Sequence, residues 1–304
     1  MTGRPRPLLA GVELGGTKVA CLVGTGPRDV RAEIRIPTTG PAETLAQVGD
    51  ALARASDRLG PLGALGVCCF GPVDPDPASP TFGHVTTTPK PGWQGADVAG
   101  TLGRRLGVPV GFDTDVNGAA LGEHRWGAAR GFRTFVYLTV GTGIGGGGMA
   151  EGRLLHGLVH PEMGHLPVPR DPERDPFPGC CPFHGDCLEG LASGTALRQR
   201  WGRPGEELRE RPEVWDLEAD YLAAGVTAIT LVLSPGRVIL GGGVMQAPGL
   251  LPRVRERLAR RIAGYLRHPR LSGNLEDFLV APGLGSRSGV LGALVLARRA
   301  WRGR

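Results

Sequence analysis

At 304 residues with a formal net charge of +6, the chain can bury one large core or, more comfortably, two of about 100–200 residues each. Apolar and charged fractions of 41% and 21% exclude a disordered chain, and 51 Gly with 27 Pro favour a loop-rich α/β protein over a helical bundle. The charge reads as a solvated Arg-rich face rather than a nucleic-acid stripe, because all but two of the 35 basic residues are Arg and they scatter along helical segments.

Residues 1–14 carry Arg and a short apolar patch that Glu13 interrupts, with no small-residue cleavage site, so they read as a tail entering a first strand. Residues 8–23 read as strand, Gly-rich turn, strand, with another strand at 32–36 and an amphipathic helix at 43–59. A buried strand at 64–70, a Pro-rich loop at 72–93, a helix at 96–106 and a strand at 108–112 follow. Beyond them come a helix at 116–126, a strand at 134–140, a hairpin arm at 147–155 and an irregular Cys/His/Pro segment to 190. Helices at 217–233, 251–266 and 288–300 alternate with strands at 237–240 and 278–281, a pattern that predicts α/β with a mixed sheet. No internal repeat is evident. The longest apolar stretch, 222–233, falls short of the about 18 residues that span a bilayer, so a cytoplasmic protein with no membrane partner is expected.

Three glycine turns follow strands. In Glu13-Leu14-Gly15-Gly16-Thr17-Lys18, the missing β-carbons let backbone N–H groups turn toward an anion, as in a phosphate turn; a plain hairpin is the alternative. A P-loop is excluded, because Thr-Lys stands where Lys-Ser or Lys-Thr should and a strand follows. Gly141-Thr142-Gly143-Ile144-Gly145-Gly146 matches the dinucleotide spacing, but the Gly-rich sequence after it cannot open the helix that a Rossmann site needs. Gly241-Gly242-Gly243 would let a base or ribose approach the backbone, or is simply a tight turn. The chain's two lysines, Lys18 and Lys90, both fall inside motifs.

Asp113-Thr114-Asp115 ends a strand and opens a helix. Phosphoryl transfer to a hydroxyl needs a carboxylate within hydrogen-bond reach to take the proton, and Asp115 is the candidate; the competing reading for an Asp there is a helix N-cap. Among six cysteines, Cys21, Cys68 and Cys69 sit in apolar strands, whereas Cys181, His184 and Cys187 form Cys-x2-His-x2-Cys. With His165 they supply four N/S ligands, a closed structural zinc set that leaves no position for an activated water. Cys180 is the alternative to Cys181.

Together and in this order, the motifs resemble the ROK family of repressors, open reading frames and kinases over nearly the whole chain. The resemblance implies the actin-like, hexokinase-like (ribonuclease H-like) pair of α/β lobes. We expect a smaller lobe at 1–112 and a larger one at 113–304 carrying the zinc loop 160–190, with the last helix packing back on the first lobe. It implies ATP, Mg²⁺ and a hexose as ligands and no nucleic acid. Gly15, Gly16, Thr17 and Lys18 would meet phosphate, Gly141, Thr142 and Gly143 likewise, and Gly241, Gly242 and Gly243 the nucleoside. Asp115 would be the general base, and Thr114, Glu162, His165 and Glu189 would meet the sugar, with His165 also on zinc; Glu13 is a candidate contact for hydrated Mg²⁺.

Glu13, Thr114 and His184 depart from the Asp, Asn and third Cys common in the family and argue against a glucokinase. Thr88-Pro89-Lys90-Pro91-Gly92-Trp93, His160-Pro161-Glu162-Met163-Gly164-His165 and the Cys/His motif are similar to the fructokinase branch, implying fructose to fructose 6-phosphate. Mannose, glucose and N-acetylmannosamine are the alternatives within the family. A non-catalytic regulator is the alternative outside it; only about ten residues precede the first motif, which leaves no room for a helix-turn-helix. Many family members are dimers, and the helices after Leu217 offer apolar faces for a homodimer.

Overall fold

The computed structural model describes residues 7–303, and the chain forms two compact units. The first runs through Arg130 and regains the chain at His156–His160 and again from Arg287. Its sheet is built from β1 (Leu8–Leu14), β2 (Lys18–Gly26), β3 (Asp29–Pro37), β4 (Leu62–Cys69) and β5 (Val110–Thr114), in the order β3-β2-β1-β4-β5. The β1–β2–β3 ribbon is antiparallel, whereas β4 and β5 run parallel to β1. Such parallel neighbours need helical crossovers, which explains why β1 and β4 are almost continuously apolar.

Helix α1 (Pro41–Leu59) starts with Pro at its first position after Gly40 and buries Leu45, Val48, Leu52 and Ala55. Helix α2 (Val98–Leu106) is capped by Asp97, which accepts from the Gly100 N–H, and is stopped by Gly107 in the left-handed region. Between β4 and α2, the loop is folded onto this core by a Val73–Val85 bridge and the fully buried Trp93. Helix α3 (Asp115–Trp126) follows β5 without a break.

The second unit takes residues 131–155 and 161–286. Its strands are β6 (Phe135–Val140), β7 (Ile144–Ala150), β8 (Arg153–Leu154), β9 (Val238–Gly241) and β10 (Leu279–Val280). They run β8-β7-β6-β9-β10, again an antiparallel ribbon joined to two parallel strands. The two sheets therefore repeat one topology, although no repeat is evident in the residues. Helices α4 (Leu188–Ala192), α5 (Gly194–Trp201), α6 (Pro212–Leu233) and α7 (Leu250–Ile262) complete it. Among the described residues, no helix is long and apolar enough to cross a membrane.

The final helix α8 (Ser288–Arg302) belongs to the first unit. It lies on a row of directly paired glycines, Gly11, Gly66 and Gly111, on β1, β4 and β5. A methyl at Gly66 would stand 1.8 Å from the Ala293 carbonyl oxygen, and one at Gly292 would stand 1.7 Å from that of Gly118 on α3. Helix, sheet and helix thus meet backbone to backbone, with no room for any β-carbon.

The structure departs from the sequence expectations in several places. The expected boundary at 112/113 falls inside the first unit, because β5 pairs with β4 and α3 packs on α8. Strand β7 starts three residues before the expected hairpin arm, since its glycines fit against Phe135 and Met163. Helix α6 begins at Pro212, and α7 stops at Ile262 because Ala263 takes a positive φ of 51°. Substituting Gly66→Ala is expected to destabilise the protein by about 3 kcal/mol through overpacking, read as a lower urea midpoint.

Candidate functional site

In the first unit the chemistry gathers at the carboxyl ends of β1, β4 and β5. Pairing places Glu13, Cys68 and Asp113 in one row, so their side chains share the sheet face that α8 and α3 cover. Gly289, in the first turn of α8, lies against the Glu13 carboxylate, and the Val290 amide hydrogen-bonds to it. Burial foremost, and then the charge of Asp115, push the Glu13 carboxyl up to about 7. Burial likewise raises Asp115 to about 6. Two acids therefore sit close together, each with its proton held more tightly than in water.

Neither carboxylate of Asp113-Thr114-Asp115 is the helix cap. The Thr114 hydroxyl accepts from the Asn117 amide at 3.1 Å, and Thr114 is buried, so this predicted sugar contact caps α3. Asp115 is the first helical residue, and the Val116 amide donates to it at 2.9 Å. Asp113 is buried with three partners: the Thr114 amide and Asn117 Nδ2, both at 2.8 Å, and His156 Nε2 at 2.9 Å. That last bond raises the affinity of His156 for its proton. No spacing rule links positions 113 and 156, and the pair was not read from the sequence.

The first glycine turn joins β1 to β2. Gly15 N–H donates to the Lys18 carbonyl at 3.0 Å, the Thr38 hydroxyl donates to the Gly15 carbonyl at 2.8 Å, and Gly16, Thr17 and Lys18 are exposed. Lys90 Nζ donates to the Gly16 carbonyl, so both lysines of the chain meet at this turn. The sequence placed Lys90 in a motif but not in a site, because 74 residues separate the partners.

In the second unit, the turn Gly141–Gly143 joins β6 to β7 at the position equivalent to the first turn. The start of α5 clasps it: Gly194 N–H donates to the Gly141 carbonyl at 2.7 Å, and the Thr195 hydroxyl to the Thr142 carbonyl at 2.8 Å. Gly241, Gly242 and Gly243 end β9, and Gly242 has φ 95° with its Cα against the Val140 backbone, a conformation and an approach that demand glycine.

His165, Cys181, His184 and Cys187 bring their ligand atoms within 4.8 Å of one another. Nδ1 of His165 lies 3.3 Å from Nδ1 of His184, 3.6 Å from Cys181 Sγ and 3.5 Å from Cys187 Sγ. A tetrahedron with metal–nitrogen bonds of about 2.05 Å and metal–sulfur bonds of about 2.3 Å has N–N edges of about 3.3 Å and N–S edges of about 3.6 Å. The four residues therefore fit one metal ion. Cys181, not Cys180, faces the cluster, and Cys21, Cys68 and Cys69 are buried free thiols.

The sequence profile described as ROK family matches residues 9–300. The chain belongs to the ROK family. The Fructokinase of Zymomonas mobilis subsp. mobilis is 43% identical over 290 residues, covering 94% of this chain and 95% of that one. The ROK Hexokinase of Thermus thermophilus superposes with a TM-score of 0.77 at 31% identity, over 98% of this chain and 100% of that one. A ROK family glucokinase from Streptomyces griseus, in complex with glucose and AMPPNP, gives 0.77 at 26% identity, over 96% and 99%. The two mixed sheets with their helices are accordingly the hexokinase-like, actin-like ROK fold.

Of the remaining ROK motif residues, Glu162 precedes the short 3-10 turn Met163–His165, and Glu189 lies in the first turn of α4 with Oε2 accepting from the Ile144 amide at 2.8 Å. His165 turns Nδ1 to the cluster, which leaves Nε2 as the atom for any sugar contact. Because Glu13 and Asp115 bind protons more tightly folded than unfolded, they favour folding as pH falls and oppose it as pH rises through their folded values. Glu13→Gln is expected to raise the melting temperature at pH 8, with the gain vanishing near pH 4. Metal analysis is expected to find one equivalent per chain, and Cys181→Ser to lose it together with thermal stability.

Proposed function

We propose that the protein is an ATP-dependent sugar kinase that transfers the γ-phosphoryl group to the 6-hydroxyl of D-fructose, with Asp115 as general base. Asp115 carries the reading: a carboxylate at the first position of α3, held by backbone amides at the start of its own helix, with its pKa raised by burial to about 6. A base of that strength is ionised at neutral pH yet accepts a proton as the hydroxyl is attacked. The O–H bond of the sugar breaks toward Asp115 while the sugar oxygen bonds to phosphorus and ADP leaves with the former bridging oxygen.

The turns Gly15–Lys18 and Gly141–Gly143, with Gly16, Thr17 and Thr142 exposed at their tips, serve the phosphates, with Lys18 and Lys90 adding charge, and the turn Gly241–Gly243 serves the nucleoside. Mg²⁺ arriving with ATP neutralises phosphate charge when bound, and Glu13 is the acid placed to meet its hydration shell. Glu162, Nε2 of His165 and Glu189 hold sugar hydroxyls, and the buried Thr114 supports Asp115 by capping α3. The metal is zinc, in a closed structural role, because two thiolates and two imidazoles use every tetrahedral position. Fructose is supported by the Zymomonas mobilis relative's name and identity.

Purified protein with Mg·ATP is expected to release ADP with fructose; turnover only with mannose, glucose or N-acetylmannosamine would replace the sugar and keep the chemistry. Asp115→Asn is expected to lower kcat by about 10³. In the wild type kcat/KM should rise with pH through about 6, as the base loses its proton; a flat profile would remove Asp115 from that role.

A further inference from the structure

We infer that Glu189 is a positioning residue for the second phosphate turn, and that through it the metal cluster sets nucleotide affinity; this rests on the kinase reading above. Its carboxylate Oε2 accepts from the Ile144 amide at 2.8 Å, the residue at which the turn becomes β7. Gly143 lies directly on the same carboxylate, where a methyl would stand 2.5 Å from Oε2. An acid beside a turn that receives phosphate is electrostatically adverse, so its presence there calls for a compensating task. The charge-assisted bond to Ile144 is that task, because it fixes the end of the turn while Gly194 and Thr195 fix its middle.

The same segment is anchored at the cluster. Cys187, a cluster residue, is the N-cap position of α4, two residues before Glu189, and the Leu188 amide donates to Leu166 at 2.9 Å, next to His165. On the other side Gly164, beside His165, lies against the Ile144 carbonyl, where a methyl would stand 1.8 Å from the oxygen. Both segments that carry cluster residues therefore reach Ile144, one by a hydrogen bond from its N–H and one by close packing of Gly164 against its C=O. Releasing the metal frees both, and the turn loses its fixed amides. The second carboxylate oxygen of Glu189 is left for the sugar, so one side chain serves both substrates.

Titration calorimetry with Mg²⁺ and AMPPNP on metal-loaded protein tests this, with amide hydrogen exchange at Ile144 as a readout independent of activity. Glu189→Ala and Gly143→Ala are expected to weaken AMPPNP binding about tenfold, the scale of one lost charged hydrogen bond, and to speed exchange. Glu189→Gln, whose amide oxygen accepts the same bond, should restore Kd to within about threefold of the wild type, the smaller cost of a neutral acceptor. Removing the metal should weaken binding as Glu189→Ala does. Unchanged AMPPNP binding and exchange in Glu189→Ala, with only the sugar KM raised, would overturn the inference; so would unchanged binding in Gly143→Ala, the control if Glu189→Ala does not fold. A wild type that binds no AMPPNP would instead defeat the kinase reading itself.

Discussion

Backbone must touch backbone for this architecture to exist. In the first unit, α8 rests on Gly11, Gly66 and Gly111, three neighbours across three strands, and meets α3 at Gly118 and Gly292. Any β-carbon in that row would lift the helix off the sheet by more than the carbonyl oxygens can absorb. The consequence reaches the chemistry, because the next row toward the carboxyl ends is Glu13, Cys68 and Asp113. A helix seated this closely buries Cys68 and Asp113 and delivers the Val290 amide to Glu13.

Each acid in and beside this row depends on its partners. Asp113 is satisfied three times over at the centre of a small network. Glu13 and Asp115 have fewer donors, burial raises both, and the charge of Asp115 raises Glu13 further. Neighbouring carboxyls held by unequal sets of donors are what an enzyme needs if one is to be scaffold and another is to trade protons.

The second unit solves a different problem. The stretch from β8 to α4 holds only a single short 3-10 turn and the isolated β-bridges Pro167–Cys187 and Cys181–Gly185. Four ligand atoms gather there at tetrahedral spacing, on the segments that also carry Glu162 and Glu189.

Much of this was legible in the residues. The glycine turns, Asp115, the Cys/His set and most strands and helices follow from local pattern, because turn chemistry, ligand spacing and apolar period all act within a few residues. The order of the motifs was enough to point to the ROK family. What acts over long separations was hidden: the meeting of Lys90 with Gly16, the Asp113–His156 pair, the glycine row beneath α8 and the repeated sheet topology. Thr114 and Glu189 also acquired tasks that no motif announces, one as a cap and one beneath a turn. Local sequence determines which residues can turn, ligate or carry a proton, whereas strand register and helix seating, which are sums over the whole chain, decide which of them touch.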